Sequence, residues 1–114
     1  MITRKSFNIQ NEYGDNLVTD IKYDENKKDL PLVIFVHGFK GFKDWGGFPY
    51  MTDKLSEAGF FVVSFNFSYN GVGEKEDELV HFTRLELFAK NTFSRELDDL
   101  GDVIDYFDDN RDNY

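Results

Sequence analysis

An apolar run that stops on His-Gly constrains the fold of this chain more than any other feature. Residues 32–36 read Leu-Val-Ile-Phe-Val, and His37 and Gly38 follow at once. Five apolar residues in a row, three of them β-branched, are typical of a strand that is buried on both faces of a sheet. Pro31 precedes the run, at the start of a strand, where a missing N–H is tolerated. The sequence therefore predicts a buried strand over 32–36.

The loop after this run is rich in glycine, with Gly38, Gly41, Gly46 and Gly47 close together. Glycine lets the main chain turn and approach a ligand closely. A carbonyl oxygen that becomes negative in a transition state needs N–H donors that are fixed in advance. The glycine spacing matches neither the phosphate-binding P-loop nor the dinucleotide-binding pattern. The loop is therefore predicted to hold the oxygen anion of a reacting carbonyl.

Two lysines in this loop, Lys40 and Lys43, allow two interpretations. In the first they are exposed loop residues, which is the usual place for lysine. In the second their charge attracts an anionic group. The first interpretation is favoured.

The rest of the sequence predicts an α/β sheet around the strand at 32–36. The other predicted elements are a hairpin over 3–9 and 17–21, a helix over 49–58, a strand over 60–67, an irregular helix over 79–89 and a helix over 92–109. A strand, a short helix and a second strand in succession predict a crossover connection and parallel pairing of the two strands.

The last helix has the clearest pattern. Apolar residues recur every three or four positions, at Phe93, Leu97, Leu100, Ile104 and Phe107. They predict one continuous buried stripe, and Asn91 or Thr92 is placed to cap the N-terminus. Carboxylates crowd the other faces, at Glu96, Asp98, Asp99, Asp102, Asp105, Asp108 and Asp109. The calcium-loop pattern is absent, so a solvated acidic face is favoured over a metal site.

The His-Gly-Phe sequence after the strand, and the segment 59–71 that reads Gly-Phe-Phe-Val-Val-Ser-Phe-Asn-Phe-Ser-Tyr-Asn-Gly, resemble the α/β-hydrolase family. In that family an oxyanion loop follows the third strand. The nearest resemblance is to dienelactone-hydrolase-like and acyl-peptidase-like serine hydrolases. The implied fold is the N-terminal part of an α/β-hydrolase fold, a β-hairpin followed by parallel strands with crossover helices, with the C-terminal half of the sheet missing.

The resemblance also implies roles for individual residues. The backbone N–H of Phe39 would donate to the oxyanion, and His37, Gly38 and Gly41 would orient the loop. His37 is interpreted as a loop-orienting residue rather than as a general base, because a histidine without a nucleophile has nothing to activate. Phe42, Trp45 and Tyr69 are candidates to line a substrate pocket, and a position in the core or in a lid is an equally good interpretation for each of them.

The nucleophile of that family is not found in this sequence. None of the five serines, Ser6, Ser56, Ser64, Ser68 and Ser94, has the Gly-x-Ser-x-Gly context. The acid and the later catalytic histidine are also missing. We therefore expect residues 1–114 to be a single, truncated region of a serine-type hydrolase that acts on ester, thioester or peptide carbonyls, with a small molecule or a peptide as substrate of the parent protein.

The alternative is a non-catalytic α/β interaction module, or an inactive fragment. In the hydrolase fold the next strand pairs beside 32–36, so this strand would be left at an open edge. Open edges attract partners. This alternative predicts a homodimer formed through the edge of strand 32–36.

Composition excludes several partners. The formal net charge of −9, with no basic cluster longer than Lys27-Lys28, argues against nucleic acid. No apolar run approaches the roughly 20 residues of a membrane span, and no signal peptide is evident, so a cytoplasmic location is expected. There are no cysteines, and no residue grouping has the ligand types and spacing of a metal site, so neither a metal nor a cofactor is expected.

Overall fold

The computed structural model describes residues 2–38, 41–74 and 81–110, and this part of the chain contains four strands and three helices. The elements are β1 (Ile2–Gln10), β2 (Asn16–Asp24), β3 (Leu32–Val36), α1 (Phe48–Glu57), β4 (Phe61–Phe65), α2 (Leu85–Phe88) and α3 (Phe93–Asp109). The strands form one sheet in the order β1-β2-β4-β3. The predicted α/β class is confirmed.

The chain divides into two compact units. Unit 1 comprises Met1–Phe7 and Val18–Asn66, and unit 2 comprises Asn8–Leu17 and Phe67–Tyr114. In the sequence, unit 1 has eight basic and seven acidic residues, whereas unit 2 has five basic and fifteen acidic ones. All of the net negative charge therefore belongs to unit 2, because unit 1 has one more basic than acidic residue. The expectation of one truncated region over 1–114 stays a prediction.

Strand β4 is the centre of unit 1. It pairs in parallel with β3, where Leu32 lies beside Phe61 and Val36 lies beside Phe65, and antiparallel with β2, where Thr19 lies beside Phe65. The predicted parallel pairing is thus confirmed. All five residues of β4 are buried, and the strand has a hydrogen-bonded neighbour on each side.

Strand β3 has the predicted bounds, but the prediction that it is buried on both faces is wrong. No residue of β3 is fully buried, and Leu32 and Val36 are 48% and 42% exposed. The reason is its position. β3 is the last strand in the sheet order, and among the described residues it pairs only with β4.

Helix α1 begins close to Pro49, as predicted, and Gly59 follows its end with φ +104°. The apolar residues Met51 and Ala58 of this segment are exposed, and Leu55 is half-buried. The buried residues are Thr52 and Ser56. Their hydroxyl groups donate to helix carbonyls three or four positions earlier, at 3.0 and 2.7 Å. The polar face is therefore buried without unsatisfied hydroxyl groups.

In unit 2 the turn of the hairpin is organised by Asn11. Its side-chain oxygen accepts hydrogen bonds from the N–H groups of Tyr13 and Asp15, at 3.0 and 2.9 Å. Gly14 has φ +84°, a conformation that glycine adopts without strain. The predicted hairpin is confirmed, and its turn contains Gly14.

The carboxylate of Asp99 lies in the core of unit 2. The residue is fully buried, and its two oxygens accept from Asn11 Nδ2, Ser68 N–H and Ser68 Oγ, each at 2.8 Å. The prediction that Asp99 belongs to a solvated acidic face is therefore wrong. Three donors replace the water that a buried carboxylate loses, and they tie α3 to the hairpin turn and to the segment after β4.

Helix α3 has nearly the predicted bounds, and the Thr92 hydroxyl caps it by accepting from Arg95 N–H at 3.1 Å. The predicted stripe is only partly buried. Phe107 is in the core together with Val103, whereas Phe93, Leu97 and Ile104 are exposed, Phe93 by 75%. The buried face is rotated toward Asp99, so an apolar strip of α3 remains at the surface. Only Leu85–Phe88 is helical within the described part of the irregular helix predicted over 79–89.

Within the described ranges, no helix has the combination of length and apolar character needed to span a bilayer.

Candidate functional site

The candidate site is the loop of unit 1 that follows β3, and the carbonyl of Gly38 is at its centre. This oxygen lies 3.0 Å from His37 Nδ1, and it also accepts from Gly41 N–H at 2.8 Å. A carbonyl is only an acceptor, so His37 carries a proton on Nδ1 in this arrangement. His37 is buried. The Gly38 carbonyl is thus fixed by two donors, directly after the parallel strand ends.

Gly41 has a steric reason to be glycine. A Cβ at this position would lie 2.8 Å from the Gly38 oxygen and 3.3 Å from the Gly38 nitrogen. These are backbone atoms, which cannot move aside as a flexible side chain can. At Gly38 itself the structure leaves space for a Cβ.

Lys43 is anchored in the interior of unit 1, so the prediction of an exposed loop lysine is wrong. The residue is 2% exposed, and its ammonium lies 2.7 Å from both Asp20 and Asp44. Its backbone N–H donates to Asn66 Oδ1 at 2.8 Å. Two carboxylates provide the opposite charge that a buried ammonium requires. Asp20 accepts a further hydrogen bond from Ser6 Oγ at 2.6 Å.

The residues predicted to line a substrate pocket have different environments. Phe42 is buried beside Lys43, whereas Trp45 is mostly exposed and its ring centroid lies 5.5 Å from that of Phe48. Phe48 in turn contacts Phe35 of β3, with 4.6 Å between ring centroids. The segment after β3 therefore combines one buried and one exposed aromatic residue of the predicted set.

Tyr69, the third predicted pocket residue, belongs to unit 2. It is half-buried, and the Arg95 guanidinium lies over its ring, 4.1 Å from the centroid. Arg95 also lies 4.7 Å from the Tyr13 ring centroid and pairs with Asp15 at 3.4 Å. One face of Tyr69 is therefore taken up by a cation–π contact.

Phe39, the predicted oxyanion donor, and Lys40 lie outside the described residues. The described members of the predicted site in unit 1 are His37, Gly38, Gly41, Phe42 and Trp45, and they follow one another in one loop. The roles assigned to them by resemblance stay predictions.

Asp53 and Tyr13, which lie outside the loop, have shifted pKa values. A hydrogen bond from Lys22, together with Arg4, lowers the pKa of Asp53, and Lys22 Nζ lies 2.9 Å from its carboxylate. In unit 2 the Tyr13 hydroxyl donates to Asp98 at 2.7 Å, and this bond raises the pKa of Tyr13 to about 12. Both shifts follow from a partner that favours one protonation state, and neither group is part of the loop.

No metal-binding group of three or more His, Asp or Glu side chains occurs among the described residues. Unit 2 has an open groove of about 500 Å³ between the hairpin and α3. Its lining includes Glu12, Asp102, Asp105, Tyr106 and Asp109. The groove is acidic, and the backbone N–H of Glu12 already donates to Asp102 across it, at 2.9 Å.

Sequence reasoning missed Asp20, Asn66 and the interior position of Lys43. One signal was available for Asn66. It follows directly on the apolar strand β4, and a polar residue within a buried run needs a hydrogen-bond partner. Nothing in the spacing links Asp20 with Lys43, because 23 positions separate them.

Comparison with known proteins gives the fold. No protein-family model and no curated protein matches the chain. A solved structure from Klebsiella pneumoniae, provisionally named a dienelactone hydrolase, superposes with a TM-score of 0.66 at 20% identity, over 93% of this chain and 43% of that one. A hypothetical protein from Pseudomonas aeruginosa gives a TM-score of 0.54 at 20% identity, over 81% of this chain and 32% of that one. The fold is therefore α/β-hydrolase-like, and the chain spans less than half the length of these proteins.

Proposed function

We propose that this chain is the oxyanion-loop-bearing part of a serine-type hydrolase that acts on an ester, thioester or peptide carbonyl. The observation that carries the proposal is the doubly hydrogen-bonded carbonyl of Gly38. It lies at the carboxyl end of a parallel strand, the end at which ligands bind in open α/β sheets.

The Gly38 carbonyl is relevant to catalysis because it shares a peptide group with the proposed oxyanion donor, the N–H of residue 39. The Gly38 carbonyl and the N–H of residue 39 belong to the same peptide, and a trans peptide directs these two groups to opposite sides. His37 and Gly41 hold the carbonyl. We propose that the N–H of Phe39, in the loop that these two residues hold, donates to a substrate oxygen.

The proposed chemistry is acyl transfer. A serine of the parent protein attacks the substrate carbonyl, a histidine of the parent takes the serine proton, and the N–H of Phe39 stabilises the oxyanion that forms. His37 has no part in proton transfer in this scheme, since its Nδ1 proton is donated to Gly38. Its contribution is to hold the loop in the shape that catalysis requires. The likeness in fold to a solved structure named as a dienelactone hydrolase supports this acyl-transfer scheme.

The test uses the complete product of the native gene, whose intact mass is measured first. A fluorophosphonate that reacts with activated serines is expected to label a product longer than 114 residues. Phe39→Pro removes the N–H donor, and the labelling rate should fall by about 10²–10³. The matched control, Phe39→Leu, keeps the N–H and loses only the ring, so its labelling rate should stay close to that of the native protein.

Two outcomes would contradict the proposal. A native product that is not labelled has no activated serine, and the hydrolase assignment then fails. Equal labelling rates for folded Phe39→Pro and the native protein would show that the amide of residue 39 does not stabilise the oxyanion.

A second candidate function, a non-catalytic module that self-associates, is favoured by the edge position of β3. Leu32 and Val36 are exposed there, and residues 32–36 include no charged side chain that would discourage pairing. Unit 1 is also nearly balanced in charge, so two copies would not repel each other strongly through it. We propose that two copies pair their β3 edges across a two-fold axis.

Sedimentation at high micromolar concentration tests this pairing. The native chain is expected to sediment as a dimer, and Val36→Lys as a monomer, because a lysine on an edge strand opposes strand addition. The matched control is Met51→Lys on α1, where the native residue is 40% exposed and not on a strand; it should remain dimeric. A native chain that is monomeric throughout, or a dimer that survives Val36→Lys, would exclude this interface.

A further inference from the structure

The loop after β3 is connected to the rest of unit 1 through Lys43. Its ammonium bridges Asp20 of β2 and Asp44 of the loop, while its backbone N–H is bound to Asn66, just beyond β4. A single residue thus joins the loop to β2 through its side chain and to the residue that follows β4 through its main chain.

The side-chain attachment depends on charge and not on apolar contact alone. The side chain of Lys43 is 1% exposed, whereas those of Asp20 and Asp44 are 17% and 26% exposed. Removal of the ammonium would leave two partly buried carboxylates side by side without a cation between them, which is unfavourable for like charges. Asp20 is itself held by Ser6, so it offers the lysine a fixed partner.

Lys43 is two positions from Gly41, the residue whose N–H holds the Gly38 carbonyl. Between them, Phe42 is buried, and its carbonyl accepts from Trp45 N–H at 3.2 Å. Because only Phe42 separates Lys43 from Gly41, we expect a displacement of Lys43 to disturb the hydrogen bond between Gly41 and Gly38. The ion pairs of Lys43 and the turn closed by Gly41 and Gly38 therefore lie in the same short segment of the loop.

We infer that Lys43 is the positioning residue of this loop, and that its ion pairs with Asp20 and Asp44 set the geometry of the bond between Gly41 and Gly38. The catalytic part of this inference, that the loop positions the N–H of residue 39 as an oxyanion donor, rests on the proposed function. The anchoring itself stands on the contacts of Lys43 whether or not the parent protein is a hydrolase.

Amide hydrogen exchange, resolved for single residues by NMR, tests the anchoring. In Lys43→Met, which keeps an unbranched side chain but loses the charge, we expect the Gly41 amide to exchange about tenfold faster or more, because the loop opens locally. The amide of Val63 in the central strand reports global unfolding, and its exchange rate should change much less. Lys43→Arg retains the charge and should restore part of the protection at Gly41.

The matched control is Lys22→Met. Lys22 is another lysine of the unit 1 interior, and it pairs with Asp53 of α1 at 2.9 Å instead of with the loop. Its loss should leave the ratio of exchange rates at Gly41 and Val63 as in the native chain. If Lys43→Met leaves that ratio unchanged, or if Lys22→Met alters it as strongly, Lys43 does not position the loop and the inference is overturned.

The effect of Lys43 on catalysis is measured in a separate experiment on the longer gene product. There, Lys43→Met should lower the rate of fluorophosphonate labelling about tenfold or more, while Lys22→Met leaves it nearly unchanged. A faster exchange at Gly41 in a product that is never labelled would support the anchoring and reject the hydrolase assignment. A labelled product whose rate does not respond to Lys43→Met would reject the positioning role and leave the hydrolase assignment intact.

Discussion

Replacement of Asp99 by alanine is expected to lower the free energy of unfolding by roughly 3–4 kcal/mol. The carboxylate accepts from three donors in the core of unit 2, the side-chain amide of Asn11 and the N–H and hydroxyl of Ser68. Alanine leaves these donors buried without an acceptor, and a buried donor without a partner costs about 1–3 kcal/mol. Urea unfolding followed by far-UV circular dichroism measures the change.

Two further variants make the Asp99 result specific. Asp99→Asn keeps the shape and one acceptor oxygen, so it should lose less stability than alanine and remain measurable if the alanine variant does not fold. Asp105→Ala removes an exposed carboxylate from the same helix and should change the free energy by no more than about 0.5 kcal/mol. Equal effects at residues 99 and 105 would show that the buried hydrogen bonds add nothing to stability.

Phe65→Ala is the second substitution with a large expected effect, a loss of about 3–5 kcal/mol in the free energy of unfolding. Phe65 is fully buried and has the largest side chain among the fully buried residues that the structure describes. It lies in the central strand, between Thr19 of β2 and Val36 of β3. Alanine removes the whole ring from this fully buried position, and the surrounding structure closes the resulting cavity only in part.

The same substitution at the surface provides the control for Phe65. Phe93 is 75% exposed on α3, and Phe93→Ala should change the free energy by no more than about 0.5 kcal/mol. Phe65→Leu, which keeps much of the volume, should cost less than about 1.5 kcal/mol. Fluorescence of Trp45, the only tryptophan, follows the urea transition in unit 1. A Phe65→Ala variant as stable as Phe93→Ala would contradict the assigned core.

The elements of the fold were predictable because local patterns define them. The apolar run at 32–36 gave the exact bounds of β3, and the three- and four-residue spacing gave α3 within one residue. These signals report secondary structure, which depends on neighbours in sequence. They do not report which strand is central. For this reason the run at 32–36 was expected in the interior, although the neighbouring β4 holds that position.

The polar contacts were not predictable for a different reason. Asp99 and Lys43 have the residue types and sequence surroundings of exposed side chains, and the partners that stabilise them inside come from distant positions. Asn11 is 88 positions from Asp99, and Asp20 is 23 positions from Lys43. A helical wheel assigns Asp99 to the polar side, and only the fold shows that this side faces the hairpin turn. Within the site, His37 and Gly41 were identified from the glycine-rich loop, whereas the lysine that holds this loop was not.

The unequal division of charge between the two units has a consequence for the behaviour of the chain in solution. Unit 1, which is nearly balanced in charge, exposes Trp45, Tyr50 and the β3 edge, the kinds of surface through which proteins adhere to one another. Unit 2 has ten more acidic than basic residues. Electrostatic repulsion between chains therefore originates in unit 2. We expect the carboxylates of unit 2 to keep the chain from aggregating through the exposed apolar surface of unit 1.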